Sequence, residues 1–428
     1  LDTTSKGKLL TLKWPESTGR QDYYLEAFNG KLAGKADDVF KIVWFALLPE
    51  LNLSKNNFEE FLSLINTKTD NFPIYLEMPK DYSRNTFVFK RGNWLVHGDS
   101  VQADVPAFMN KFKPEWPRNR LGLANWVVDA ANPLFARNVA NRFWEQLFGI
   151  GIVETLEDFG SQGAKPSHQK LLDYLAYQFI FKYDMKPKAL IKEIVCSSTY
   201  QQDSKASKSI IATDPYNKYL SRGPRFRLSA EQVRDQALSV SGLLNPKMFG
   251  KPVMPFQPEG VWQAVNSSLK WKQSEGNEQY RRAIYIFTRR TGPYPSQFTF
   301  DSPSREVCLV RRVRTNTPLQ ALMMLNDPTV LEASRVLAAK LLTEKSNSSD
   351  KIKKAFRLIV CRNPSEKELG VLNTYFLSQR AKITQGQATK ILAVGEFPIA
   401  ANVDKKLLAA MMRVVNTIYN LEETITKS

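Results

Sequence analysis

Histidine and cysteine are scarce in this chain. There are two histidines, His97 and His168, and three cysteines, Cys196, Cys308 and Cys361, in 428 residues. So few imidazoles argue against a zinc or non-haem iron centre of the usual histidine-rich kind, while a carboxylate-based calcium site stays open. The cysteines are far apart and form neither a Cys-x-x-Cys pair nor a Cys-x-x-Cys-His segment, so the chain carries no c-type haem of its own. Their odd number leaves at least one thiol free or bonded to another chain, and a bridge between Cys196 and Cys361 is geometrically open. No stretch approaches the roughly 20 apolar residues that a membrane-spanning helix needs. The best candidate, "FKIVWFALLPEL", is shorter and contains Lys41. A Walker glycine loop, a G-x-S-x-G nucleophile elbow and an HExxH zinc motif are all missing, which excludes the commonest sequence-readable catalytic classes. Without a helix-turn-helix, zinc-finger or aromatic RNA-binding motif, nucleic acid is not an expected partner.

What is present is a globular composition with a strong basic bias. The hydrophobic content is 43 % and the aromatic content 11 %, enough for a large core, and the formal net charge is +18. The excess is unevenly spread. Lys and Arg number 13 against 13 Asp and Glu over residues 1–100, 31 against 20 over 101–328, and 16 against 9 over 329–428. Such a surplus favours an anionic counterpart: an acidic protein, an acidic glycan or a headgroup surface. The structural alternative is a basic protein whose lysines are scattered for solubility.

The periodicities predict a mainly α (α+β) fold, a multi-helix domain with a few short strands and long Pro/Gly-rich loops. Residues 1–85 read as an N-terminal linker region with helical stretches near 37–48 and 56–66 and a strand at "FPIYLEM". A family core domain is expected over 86–342 and a C-terminal helical subdomain over 352–428. "TFVFKRGNWLV" and "RRAIYIFTRRT" have the β-branched and aromatic content of strands. Asn132-Pro133 opens a helix in which Phe135, Val139, Phe143 and Leu147 recur every four residues until the glycines at 149 and 151. Ser229–Gln232, Thr317–Gln320 and Ser365–Glu368 have the spacing of capping boxes, and Asp327-Pro328 starts another helix. "GKPVMPFQPEGVW" is too proline-rich for regular structure, and "TEKSNSSDK" reads as an exposed loop.

Three constellations could carry chemistry. On "NPLFARNVANRFWEQLFG" a polar stripe of Arg137, Asn141 and Glu145, flanked by Asn138 and Arg142, points to buried hydrogen bonding or to ligand contact. In "VETLEDFGSQGAKPSHQKLLDYLA", Glu154, Glu157 and Asp158 precede a glycine loop, and Ser167 is placed to cap the helix carrying His168. Glu154, Asp158 and His168, together with Asp301, form a candidate acid/base set, although carboxylates before a glycine loop more often pair with arginine. In "DSPSREVCLVRRVRTNTPLQALMMLND" the arginines Arg305, Arg311, Arg312 and Arg314 surround Cys308. Guanidinium groups this dense must face anions, carboxylates or water, and Asp301 and Glu306 can answer only part of that demand. They therefore form either an anion- or partner-binding face, with Arg137 and Arg142 added, or an internal ion-pair network. Cys308 beside these cations is either a reactive thiol or inert packing.

Several long strings resemble one known family: "TFVFKRGNWLVHGDSVQADVP", "NPLFARNVANRFWEQLFGIGIVETLEDFGSQGAKPSH", "RGPRFRLSAEQVRDQALSVSGLL", "PFQPEGVW", "RRAIYIFTRRTGPYPSQFTFDSPSREVC" and "RRVRTNTPLQALMMLNDP". They are similar to the C-terminal PSD-type domain, of unknown function, of planctomycete-type cytochrome c-associated proteins, a family with relatives in Bacteroidota. The resemblance spans about residues 86–330. It implies a periplasmic or outer-membrane-associated location, because c-type haem is attached outside the cytoplasm. It also implies a haem-bearing module on an upstream or partner domain, with no cofactor on this chain. The expected partner is therefore a cytochrome c-containing domain or protein, within an outer-membrane complex or beside an anionic polysaccharide. The leading expectation is a scaffold or binding module whose arginine-rich face meets an acidic partner or an anionic glycan. The rivals are an enzyme, an oxidoreductase or a carbohydrate-active enzyme on acidic polysaccharide, and a purely structural subunit of an outer-membrane complex. The family supplies no catalytic residues to carry over.

Overall fold

The computed structural model describes residues 2–3, 10–11, 85–258, 260–261, 270–399 and 403–427. The helices expected near 37–48 and 56–66 and the strand at "FPIYLEM" lie outside the described residues. The chain divides into two compact units, Leu1–Val101 and Gln102–Ser428. In the first, β1 (Asp2–Thr3) pairs antiparallel with β2 (Leu10–Thr11). "TFVFKRGNWLV" and the residues after it make a hairpin. β3 (Thr86–Phe89) pairs antiparallel with β4 (His97–Val101), and the turn between them places Arg91 at φ 52.

The second unit is built from helices, with two large cores and a small third cluster of Ala283, Ile286 and Tyr294 among the described residues. The first core joins α2 (Phe135–Phe148), α3 (Gln169–Tyr177) and α4 (Pro187–Val195); α1 (Arg120–Val127) precedes it. α2 begins two residues later than the sequence suggested. Asn132 still acts as its cap, since the side-chain oxygen accepts the amides of Leu134 and Phe135 at 3.0 and 3.2 Å. Its buried face is also turned by one residue. Ala136, Ala140, Trp144 and Phe148 are buried, while the predicted row Phe135, Val139, Phe143 and Leu147 packs on the flank. Small alanines at two of these steps let neighbouring helices approach, so the large residues beside them cover the seam rather than fill it. Gly149 ends the helix in the left-handed region at φ 83, where an L side chain would be strained.

The second, larger core gathers α6 (Ala230–Ser241), α9 (Pro328–Leu342), α10 (Ser348–Val360), α11 (Glu366–Lys382), α12 (Gln385–Leu392) and α13 (Lys405–Tyr419). α13 is its axis, with ten of fifteen residues buried, Leu408, Val414, Val415 and Ile418 completely so. Each such side chain contributes about 1.5–3 kcal/mol. α6 and α9 share this core with α10 to α13, so residues 352–428 pack together with part of the expected 86–342 segment. The short helices α5 (Lys208–Thr213), α7 (Pro295–Thr299) and α8 (Pro318–Asn326) complete the set.

Local signals fare well where hydrogen bonds are local. Capping boxes close at Ser229/Gln232 and Ser365/Glu368, a longer version forms at Thr317/Gln320, and Asp327 caps α9. Two expectations need correction. "RRAIYIFTRRT" contains a short 3-10 turn, Ala283–Tyr285, with isolated bridges at Arg281 and Ile286 instead of a strand. "TEKSNSSDK" is an exposed loop only as far as Asn347, which accepts the Asp350 amide and starts α10, so that residues 348–351 are its first turn. The last ordered pairing, β5 (Phe226–Arg227) with β6 (Thr426–Lys427), brings the C-terminal end of the chain beside the first core.

Candidate functional site: an arginine-lined groove

Residues 301–316 have no regular structure and run as a strap across the surface. Two of them, Asp301 at φ 59 and Arg305 at φ 62, hold left-handed backbone that is costly for such side chains. The strap is pinned at both ends of this stretch. The Asp301 carboxylate accepts the Thr315 amide at 2.8 Å and its hydroxyl at 2.9 Å, and the Thr315 hydroxyl accepts the side-chain amide of buried Gln320 at 3.1 Å. Between strap and body lies a groove of about 1090 Å³. The outer face of α6 forms one wall, the strap the other, and β5 with β6 contribute to the floor.

All four strap arginines, Arg305, Arg311, Arg312 and Arg314, line this groove. Neither Asp301 nor Glu306 pairs with them; of the expected carboxylates before the glycine loop, Glu157 does, and the other two partners come from α6 and α2. Arg312 meets Glu231 of α6 at 2.5 Å. Arg314 meets Glu145 of α2 at 3.3 Å, donates to the Gly149 carbonyl at 3.1 Å and lies over the Phe226 ring. Arg311 stands 4.0 Å from Glu157. Burial pushes the Glu231 carboxyl up, and the Arg312 guanidinium together with hydrogen bonds from its own amide and from Ser229 outweighs this, leaving it below the usual carboxylate range. Most of the cluster is thus an ion-pair network that ties the strap to the body.

Three cations in the groove have no carboxylate partner among the described residues. Arg305 makes no ion pair, half-buried Arg227 leaves Nη1 buried and unpartnered, and Lys427 is held by the Leu147 carbonyl and the Tyr200 hydroxyl. Arg227 and Lys427 escaped sequence reasoning, since each is an ordinary basic residue until β5 and β6 pair. The groove also exposes aliphatic surface: Leu309 is 54 %, Val313 72 % and Ile284 67 % exposed. No Trp or Tyr lines it.

The candidate acid/base set is not brought together. Glu154 and His168 line a small cavity of about 60 Å³, where Glu154 pairs with Lys218 at 3.2 Å and His168 Nδ1 lies 3.1 Å from the Ser167 hydroxyl. Asp158 accepts the Gly160 amide at 2.6 Å as part of its own loop, and Asp301 belongs to the strap anchor. Ser167 does not cap the helix; its hydroxyl turns to the Ile152 carbonyl. Arg137 and Arg142 are not in the groove either. Arg137 pairs with Asp173 at 2.6 Å, and Arg142 donates to Asn138 one turn away. Asn141 is buried in the way its type suggested, exchanging two hydrogen bonds with the Val153 backbone, each 2.9 Å. The three cysteines are exposed thiols, so no bridge joins Cys196 to Cys361 and Cys308 is not core packing. Separate thiols without an adjoining histidine do not fit covalent haem. Among the described residues no group of three or more His, Cys, Asp or Glu gathers to hold a metal ion, and no helix is long and apolar enough to cross a membrane.

Residues 119–376 match the family described as PSD1: Protein of unknown function (DUF1553). No curated protein and no solved structure matches the chain.

Proposed function

The chain belongs to the PSD1 family, and on that premise we propose that its second unit is a binding module that docks an acidic polypeptide in the arginine-lined groove. The observation that carries this reading is the set of cations without carboxylate partners, Arg227, Arg305 and Lys427, in a groove whose other arginines are already neutralised. Unpaired guanidinium groups beside exposed Leu309 and Val313 suit a segment that alternates carboxylates with apolar residues. A glycan fits less well, because sugar rings pack on open aromatic faces and the two aromatic rings of the groove are already covered: Arg314 and Lys427 lie over Phe226, and Phe300 is buried. In this proposal the module is extracytoplasmic and part of a cytochrome c-associated protein or assembly, with the haem on an upstream or partner domain. The support for that setting is the sequence resemblance alone. The enzyme reading has no converged acid/base set behind it.

The test uses charge reversal where no internal pair is broken. Arg227→Glu with Arg305→Glu is expected to leave the melting temperature within a few degrees of wild type. The same variant should weaken binding of fluorescent poly-L-glutamate at least tenfold in low salt and flatten its salt dependence. Unchanged affinity in the doubly reversed chain would remove the proposal. Heparin binding that survives while poly-L-glutamate binding is weak in the wild type would move the assignment to a glycan.

A further inference from the structure

We propose that Arg234 and Gln279 form a second site, separate from the groove, that takes the oxyanion of a small carboxylate or phosphate compound. Arg234 projects from the inner side of α6 and is only 8 % exposed. Its Nη2 donates to the Gln279 carbonyl at 2.6 Å, but Nε and Nη1 are buried with no partner, and it makes no ion pair among the described residues. Gln279, 6 % exposed, leaves its side-chain amide Nε2 unpartnered as well. A guanidinium stays charged at any ordinary pH, so burying it cannot be relieved by losing a proton.

The other deeply buried arginines show how this chain otherwise treats such a group. Arg281 donates to the carbonyls of Lys247, Phe249 and Lys251 and lies over the Tyr285 ring. Arg335 has Glu332 at 3.4 Å and the Phe397 carbonyl at 2.7 Å. Each of those leaves only Nε unpartnered, whereas Arg234 lacks both a carboxylate and a second acceptor.

Arg234 and Gln279 border one cavity of about 210 Å³, between the turn at Gly276–Tyr280, the start of α9 and the backbone around Gly395. Two carboxylates border this cavity, and one oxygen of each takes donors other than Arg234 and Gln279. Glu332 takes the Tyr280 hydroxyl at 2.9 Å and the Phe397 amide at 2.7 Å, and Glu396 takes the Gln273 amide at 2.9 Å. Arg234 and Gln279 thus keep buried donors that neither of these carboxylates takes, which is the complement of a carboxylate or phosphate group. Phe256 and Val394 add apolar wall for a short carbon body. The volume is below the roughly 300 Å³ at which drug-sized pockets begin, so the ligand is a small molecule and not a polymer.

Thermal melts of the full chain decide the matter. Wild type, Arg234→Met, Arg234→Lys and Arg305→Glu are compared in inorganic phosphate, acetate and chloride at matched ionic strength. Phosphate or acetate should raise the wild-type melting temperature along a saturating curve that chloride does not reproduce, and whichever of the two acts identifies the ligand class. Arg234→Met should lose that response and, having shed an unpaired buried charge, melt no lower than wild type in chloride. Arg234→Lys keeps the charge without the planar fork and should need at least tenfold more anion for half-saturation. Arg305→Glu should respond as wild type does, which separates this cavity from the groove. No response in wild type, or the same curve in Arg234→Met, would overturn the assignment; should Arg234→Met not fold, an unaltered half-saturation in Arg234→Lys would do so.

Discussion

Asn141 shows what a single polar residue on an apolar helix face is for. Its amide donates to the Val153 carbonyl and its oxygen accepts the Val153 amide, so one side chain completes a backbone that no strand pairs. Asn141→Ala would leave a donor and an acceptor buried without partners, a loss of about 2–4 kcal/mol. A urea titration should show a lower midpoint with an unchanged slope, and a shift under about 0.5 kcal/mol would contradict the accounting. The residue type was readable because asparagine solvates poorly compared with lysine, but its partner twelve residues on was not. The arginines repeat the lesson at longer range. Arg312 finds Glu231 across 81 positions and Arg314 finds Glu145 across 169, while the neighbouring Glu306 goes unused.

At the scale of elements, the caps were legible and the strands less so. A capping box needs four consecutive residues and nothing else, which is why Ser365/Glu368 could be read directly; the same grammar at Thr384/Gln387 was overlooked. Glu368 does more than cap. Hydrogen bonds from Arg362 and from the Ser365 amide hold its carboxyl down to about 2, from an ordinary value of 4.5. The unfolded chain therefore binds a proton there before the folded chain does. The stability this group contributes is complete above about pH 4.5 and is lost as pH falls toward 2. Acid titrations of wild type and Glu368→Gln should diverge above that window and converge below it; parallel curves would show that the Arg362 pair contributes nothing. The failure at "RRAIYIFTRRT" has a structural cause. Its alternation is real, but Arg281 and Ile286 each find one bridge partner instead of a neighbouring strand.

For the whole molecule, the boundary of the family match and the boundary of the core do not coincide. The match ends at residue 376, within α11, yet α13 at Lys405–Tyr419 is the most buried helix of the larger core. A fragment of residues 119–376 should keep helical circular dichroism, bind an apolar dye and melt without a cooperative transition, because α6 and α9 lose the surface they pack against. The fragment 102–428 should melt cooperatively at the temperature of the same unit in the full chain. A sharp two-state melt of the shorter piece would show that α13 is dispensable.

The sequence by itself determined the helical class, the helix starts, the basic surplus and the gathering of four arginines on one stretch, because each is written within a turn or two of chain. Tertiary structure decided which of those arginines are neutralised, that Arg227 and Lys427 join them, and that the proposed acid/base residues stay apart. Those outcomes depend on where loops end after two cores have packed. Charge energetics turn on distances of a few ångströms between groups separated by tens to hundreds of positions, and no local pattern encodes such distances.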